Sequence, residues 1–160
     1  MNSDRKQALA LARESKRILL SGHMRADGDC LGAQAVLFHA FQALGKECRI
    51  LLPDPPDGRY GFLQEKTPWE VIEVGAALPP HDLFMVCDCS RLSRLGQMGG
   101  LVESSDIPRI ALDHHPLEEG DSPWTALFHD ESSAASGLLA LEFSRALGVE
   151  PGAEACEAAF

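Results

Sequence analysis

Apolar positions fall into short blocks along the chain, some at a helical period and some continuous. Residues 3–15 set Ala and Leu at helical spacing, and 17–22, Arg-Ile-Leu-Leu-Ser-Gly, form an apolar run closed by glycine, the pattern of a buried strand. A polar turn, 23–29, leads into 30–44, where Leu31, Val36, Leu37, Phe38, Phe41 and Leu44 recur at helical spacing until Gly45 stops the helix. Residues 48–52 predict a second strand, 71–74 a weak one, 83–87 a strong one ending at Asp88, and 109–112 another ending at Asp113-His114-His115. Between them Pro53-Asp-Pro-Pro-Asp-Gly58 is a surface loop, because prolines lack the N–H that either regular element needs. Gly99-Gly100 reads as a turn and 124–128 as one more strand. Ser132-Ser133 is expected to cap a helix over 134–147, and Pro151 opens a last helical stretch that runs to Phe160.

Alternation of this kind predicts the α/β class, with a parallel sheet flanked by helices, and 160 residues suffice for one such domain. Apolar runs such as 18–20 and 83–87 are far shorter than the roughly 20 residues that cross a bilayer, so no membrane segment is expected. The N-terminus enters a helix directly, without a basic tip and an apolar core, which predicts a cytoplasmic protein. Five cysteines form an odd set with no C-x-x-C pair and are read as reduced, with Cys87 and Cys89 as strand-end packing around Asp88. A net charge of −10 excludes a broad basic surface for long duplex DNA. A small anionic substrate held by metal ions fits it better.

Candidate chemistry gathers where strands end, the usual ligand crevice of an open α/β sheet. His23-Met-Arg-Ala-Asp27-Gly-Asp29 places an imidazole and two carboxylates in one turn, with Gly28 permitting a tight backbone between the acids. These residues suit a pair of cations, and they equally suit a turn and a helix N-cap; the sequence leaves both readings open. Asp88 alone is a weak signal, since Asp-x-Ser also builds ordinary turns. Asp113-His114-His115 is stronger, because three consecutive ionisable residues after an apolar strand are not satisfied by routine packing. Mixed imidazole and carboxylate donors favour Mn²⁺, Fe²⁺, Co²⁺ or Zn²⁺ over Mg²⁺, with Mn²⁺ the first choice.

H-x-x-x-D-x-D, a strand-ending Asp and D-H-H, in this order over nearly the whole chain, resemble the DHH phosphoesterase superfamily. That resemblance implies that His23 and Asp27 hold one metal ion, Asp29 and His114 a second, and that Asp88 bridges them. It further implies that His115 contacts the substrate phosphate and that Asp113 orients the imidazoles, these two being the catalytic pair. Arg25, Arg91 and Arg94 lie in or just after the site loops, where a guanidinium clamps phosphate; Arg25 is assigned that role with His115, and Arg94 is read as solvated. His39, His81 and His129 read as structural or exposed.

The implied function is metal-dependent hydrolysis of phosphodiester or phosphomonoester bonds in short nucleotides: nanoRNA, 3′-phosphoadenosine 5′-phosphate or a linear dinucleotide. Short oligonucleotides are then the partners, and a homodimer is compatible with the fold. An inorganic pyrophosphatase of the same superfamily and a catalytically silent nucleotide-sensing domain are the alternatives. A dinucleotide-binding oxidoreductase is disfavoured, since the first strand runs into His-Met-Arg-Ala-Asp and not into G-x-G-x-x-G. Residues 1–160 would be the DHH catalytic domain, and two features of the family are not found in them: a further metal-binding Asp beyond D-H-H, for which Asp130 is a poor candidate, and a glycine-rich substrate domain. The chain is therefore expected to continue naturally, and these 160 residues to hold at most one tight ion and turn over slowly.

Overall fold

The computed structural model describes residues 3–117 and 122–158. The chain runs α1 (Ser3–Glu14), β1 (Arg17–Gly22), α2 (Gly28–Ala43), β2 (Glu47–Leu52), α3 (Gly61–Gln64), β3 (Trp69–Val71), β4 (Leu83–Cys87), α4 (Gln97–Glu103), β5 (Arg109–Asp113), β6 (Ala126–His129), α5 (Ser136–Ala146) and α6 (Ala153–Ala158), with short 3-10 turns at Gly58–Tyr60 and Leu92–Leu95. The six strands form one sheet in the order β3-β2-β1-β4-β5-β6, every neighbouring pair parallel. The α/β expectation therefore holds.

Both faces of the sheet are covered, which is why its central strands read as unbroken apolar runs. Successive strand residues point to opposite faces. Ile18, Leu20, Met85 and Leu112 join α1, α2, α5 and α6 in the larger core, while Leu19, Phe84, Val86 and Ala111 join Met98 and Val102 of α4 in a smaller one. Helix α2 is buried on all sides from Cys30 to Phe38, because it lies between the sheet and α5. A helix so placed is apolar on every face, so the residues between those at helical spacing are buried as well.

Several boundaries differ from the sequence reading for local reasons. Helix α2 begins two residues early, at Gly28, because the Asp27 side chain accepts hydrogen bonds from the Asp29 and Cys30 N–H groups. The weak strand shifts to Trp69–Val71, in register with Ile50–Leu52, and leaves Val74 fully in solvent. Residues Gly99 and Gly100 lie inside α4 and do not form a turn; a side chain at Gly99 would meet the Leu92 carbonyl oxygen at 2.3 Å. Helix α5 starts at Ser136 and not after Ser132-Ser133, whose role falls to a distant residue discussed below. The final helical stretch ends, as described, with Ala158; Phe160 lies outside the described residues. All five cysteines are free, as expected.

Gly22 fixes how closely α2 approaches the end of β1. A Cβ there would stand 2.1 Å from Cys30 Sγ and 2.6 Å from Gln34 Nε2, both in the buried interior. Gly22→Ala should therefore lower unfolding free energy by about 1–3 kcal/mol through overpacking. Gly100→Ala, in α4 with nothing within 4 Å of the new methyl, should be neutral or stabilising. Chemical denaturation of the two variants beside the parent checks this; equal destabilisation by both would remove the close-approach argument.

Candidate metal centre

The strand order places the crevice. From β1 the chain crosses outward to β2, and from β4 it crosses the other way to β5, so β1 and β4 are the neighbours at which the winding reverses. Ligands of open α/β sheets bind beyond the carboxyl ends of that pair. Here β1 delivers His23, Asp27 and Asp29, β4 delivers Asp88, and β5 delivers Asp113, His114 and His115.

Asp88 is at the centre of the group. It is 2% exposed, and its backbone adopts a left-handed conformation, φ 61°, uncommon for a residue with a side chain. Its N–H donates to the Leu112 carbonyl at 2.8 Å, which ties the turn to β5. Oδ1 accepts from Ser136 Oγ at 2.8 Å and lies 3.6 Å from both His114 Nε2 and His115 Nδ1. Oδ2 lies 3.4 Å from His23 Nε2.

Two of these imidazoles are fixed from behind. His23 Nδ1 is 2.9 Å from the Met24 carbonyl oxygen and His114 Nδ1 is 3.1 Å from that of Ser133. A carbonyl only accepts, so in each ring the Nδ1 carries the proton and Nε2 is left as a lone pair unless the ring is cationic. Those Nε2 atoms face carboxylates: His23 faces Asp88 and, at 4.0 Å, Asp27; His114 faces Asp88 and, at 3.5 Å, Asp29. Lone pairs opposed to carboxylates repel, so either a proton or a metal ion must sit between them. Two donors each about 2.1 Å from one ion stand roughly 3.0–3.4 Å apart at common coordination angles, close to the spacing found here. The donor set therefore fits a divalent cation: His23, Asp27 and Asp88 bring donor atoms within 4.8 Å of one another, as do Asp88, His114 and His115, while Asp29 reaches His114 alone.

The capping and metal readings of the first motif turn out to be compatible. Asp27 does cap α2, with Oδ1 at 3.1 Å from the N–H groups of Asp29 and Cys30. Asp29 reaches across to α5, where its two oxygens accept from the Ser136 and Gly137 N–H groups, each at 2.8 Å. It replaces Ser132-Ser133 as the cap of that helix, whose N-cap residue Ala135 has no side chain able to serve. A carboxylate has lone pairs enough for both tasks, and the positive end of α5 favours its charge.

His115 differs from its neighbour. Asp113, 1% exposed, accepts from His115 Nδ1 at 2.8 Å and from its N–H at 3.2 Å. Nδ1 is thus committed to Asp113, although it lies within metal-sharing distance of Asp88 and His114. His115 is half-exposed on a cavity of about 290 Å³ whose other lining includes Ser90, Arg91 and Arg94. Asp113 orients His115, while His114 is oriented by Ser133. Arg25 has a left-handed backbone, φ 56°, and donates its N–H to Asp54 Oδ1; it is exposed and does not line that cavity. Asp130 pairs with Arg5 and Ser132 on the surface, away from these donors.

Local fields follow the geometry. Its hydrogen bond to Asp88 holds His23 above the ordinary imidazole value, against burial and the nearby Arg94 charge. Burial raises Asp29, and the two N–H donors of α5 only partly offset it. Burial also pushes Asp88 upward, but hydrogen bonds from His23 and Ser136 and the field of His115 outweigh it, so this carboxyl stays below the usual range.

A family model described as the DHH family, N-terminal domain, matches residues 17–156. The chain belongs to the DHH family. It is 26% identical over 113 residues to the bifunctional oligoribonuclease and PAP phosphatase NrnA of Mycoplasma genitalium, a match covering 71% of this chain and 35% of that protein. Among solved structures it resembles an exopolyphosphatase-related protein from Bacteroides fragilis, with TM-score 0.84 and 15% identity over 98% of this chain and 48% of that one. It also resembles the exonuclease RecJ bound to manganese, with TM-score 0.59 and 20% identity over 98% of this chain and 41% of that one. At these identities the structural likeness establishes the fold. The chain spans less than half the length of each of these relatives. No helix among the described residues is long and apolar enough to cross a membrane.

Ser136 was not singled out in the sequence, and His129 was read there as structural or exposed, without its contact to His115. Ser136 binds Asp88, and His129 Nε2 lies 2.7 Å from the His115 carbonyl oxygen. Only the fold could find them, since each lies on a different element from the residue it supports. A pH effect follows from His23. A raised imidazole contributes stability that is fully present below its unfolded value, about 6.5, and is lost as pH rises through the folded value. With chelator present, thermal stability should fall between pH 6.5 and the alkaline side of the His23 titration, and His23→Gln should flatten that part of the curve. An unchanged slope in the variant would detach His23 from Asp88.

Proposed function

We propose that this chain is the metal-binding part of a phosphoesterase that hydrolyses phosphodiester or phosphomonoester bonds in short nucleotides. The observation that carries the reading is the convergence of His23 and His114 Nε2 on one buried carboxylate, Asp88, with both Nδ1 atoms held by backbone carbonyls. Family membership and the similarity to an oligoribonuclease and PAP phosphatase support it. So does the net charge of −10, which disfavours long nucleic acid.

In this reading His23, Asp27 and Asp88 hold one divalent cation and Asp29, His114 and Asp88 a second, with Mn²⁺ preferred. Such ions lower the pKa of water and neutralise charge developing on a phosphoryl group. The remaining chemistry belongs to protein side chains. Asp113 keeps the His115 ring in one orientation through Nδ1, so Nε2 can donate to a phosphate oxygen or to the departing oxygen when the ring is protonated. Asp113 stabilises that charged ring. Ser136 fixes the Asp88 carboxylate from the far side, and α5, capped by Asp29, keeps the two acids in register. Arg25, exposed at the rim, is retained as a phosphate contact made only with substrate bound.

Hydrolysis should be tested in Mn²⁺ with short oligoribonucleotides, 3′-phosphoadenosine 5′-phosphate, a cyclic dinucleotide and pyrophosphate in parallel, on the chain and on any longer polypeptide that contains it. Turnover of the first two, abolished by EDTA, is expected; turnover of pyrophosphate alone would replace this reading with a pyrophosphatase. Asp113→Asn should reduce the rate by about 10–100-fold, the usual cost of losing a group that orients another. Asp88→Ala should cost more than that and far more than Arg25→Ala; equal residual rates for the Asp88 and Arg25 variants would remove Asp88 from its shared role.

A further inference from the structure

The segment that leads from the end of β6 into α5, residues 129–137, touches most of the site. His129 Nε2 is 2.7 Å from the His115 carbonyl oxygen, and the Asp130 N–H donates to the Asp113 carbonyl at 3.3 Å. Its Ser133 carbonyl accepts from His114 Nδ1, its Ser136 hydroxyl donates to Asp88, and the Ser136 and Gly137 N–H groups donate to Asp29. A carbonyl only accepts, so His129 carries a proton on Nε2 and donates it. His115 is thereby held on both sides, its ring and N–H by Asp113 and its carbonyl by His129. Between His129 and Ser136 the segment belongs to no helix or strand, so what fixes it must come from other parts of the chain.

Arg5 of α1 grips that segment from behind. Its guanidinium donates to the His129 carbonyl from Nε at 3.3 Å and Nη2 at 3.1 Å, to Asp130 Oδ2 at 3.2 Å and to Glu142 Oε1 at 2.9 Å. It also lies 4.6 Å from the centre of the Phe128 ring. Only 12% of the Arg5 side chain is exposed, so this is a mostly desolvated fork with its acceptors arranged around it, unlike the solvated ion pairs that contribute little. Covering the sheet needs only the buried face of α1, Ala8, Leu9 and Ala12. Arg5 adds a polar hold directed at the one segment that braces the metal donors. At the other end of the same helix Arg13 Nη2 donates to the Ala146 carbonyl, at the end of α5 remote from the site. Helix α1 precedes residues 17–156, the part matched by the family model, so the hold comes from outside that part.

We infer that Arg5 and His129 are positioning residues for His115: Arg5 holds the 129–137 segment from behind, and His129 passes that hold to the peptide that bears the His115 ring. For its effect on rate this rests on the phosphoesterase reading, to which it adds two residues that act through His115. Asp113 fixes the ring about its own bonds, but the His115 carbonyl fixes the peptide plane and with it the direction in which the side chain leaves the backbone. A misplacement of about 1 Å in a working group costs up to roughly a hundredfold in rate. Loss of a hold that matters as charge develops lowers kcat and kcat/KM together and leaves KM alone.

Two measurements separate this inference from the reading beneath it. In EDTA, the ring and carbonyl resonances of His115 in the ¹³C,¹⁵N-labelled chain report the hold directly. Arg5→Met keeps an apolar stem against Phe128 and removes the fork; His129→Leu removes the donor. Both should shift or split the His115 resonances, whereas Arg13→Met, which frees the other end of α1, should leave them in place. Should Arg5→Met not fold, Arg5→Lys takes its place, since it keeps the charge beside Asp130 and Glu142 without the fork. Resonances unmoved in the Arg5 and His129 variants, or moved as far in Arg13→Met, would overturn the inference and leave α1 a purely structural role. In Mn²⁺ with a short oligoribonucleotide, Arg5→Met and His129→Leu should each lower kcat by about tenfold, within the usual cost of losing an outer partner, and leave KM unchanged. His129→Gln, which returns an N–H near the Nε2 position, should recover most of that rate. Because the two residues act in series, the double variant should lose little more than the worse single one; a loss equal to the product of the two, or a rise in KM with kcat unchanged, would contradict the account. Absence of any hydrolysis by the parent would count against the phosphoesterase reading alone, because the His115 resonances need no turnover.

Discussion

A buried carboxylate facing imidazole lone pairs is the constraint on which the site depends. Asp88 is 2% exposed and cannot keep its charge in the interior without compensation. It receives that compensation from the Ser136 hydroxyl on α5 and from a proton or a cation held between it and His23 after β1 or His114 after β5. Three separate parts of the chain are thereby pinned to the end of β4. The left-handed backbone at Asp88, tied to Leu112, costs some conformational energy and aims the side chain into the crevice. Removing the carboxylate would leave the surrounding donors without their common acceptor.

The sheet supplies the place where this convergence is possible. The order β3-β2-β1-β4-β5-β6 is the one also used by dinucleotide-binding folds, and it opens its crevice beyond β1 and β4. A glycine-rich turn after β1 would offer backbone N–H groups to a pyrophosphate; here the same position carries His23, Asp27 and Asp29. One architecture thus presents backbone donors suited to an anion in one case and a cluster of side-chain donors that fits a cation in the other. The fold alone does not decide between them.

The fold class was legible because central strands buried on both faces produce apolar runs that periodicity reads well, as at 17–22 and 83–87. Candidate donors were legible because they end those runs. What escaped depended on contacts between distant segments. Asp29 caps α5 from 107 residues away, so Ser132-Ser133 looked like the cap when only local signals were considered. Gly99 and Gly100 look like a turn until Leu92 is seen to pack where a side chain would stand at Gly99. Arg94 looked solvated because nothing local reveals its carbonyl bond to Met24 or the cavity it shares with His115. Asp27 shows a different limit: capping and metal binding were posed as alternatives, and one carboxylate has the geometry for both.

The central claim is that this cluster exists to hold divalent cations through Asp88. Anomalous scattering from crystals grown in Mn²⁺ tests it most directly, because it locates the ion as well as detecting it. The account predicts density about 2 Å from an Asp88 carboxylate oxygen and from Nε2 of His23 or His114, and none at that place in Asp88→Asn crystals. Density only elsewhere, or an empty cluster at saturating Mn²⁺, would contradict it.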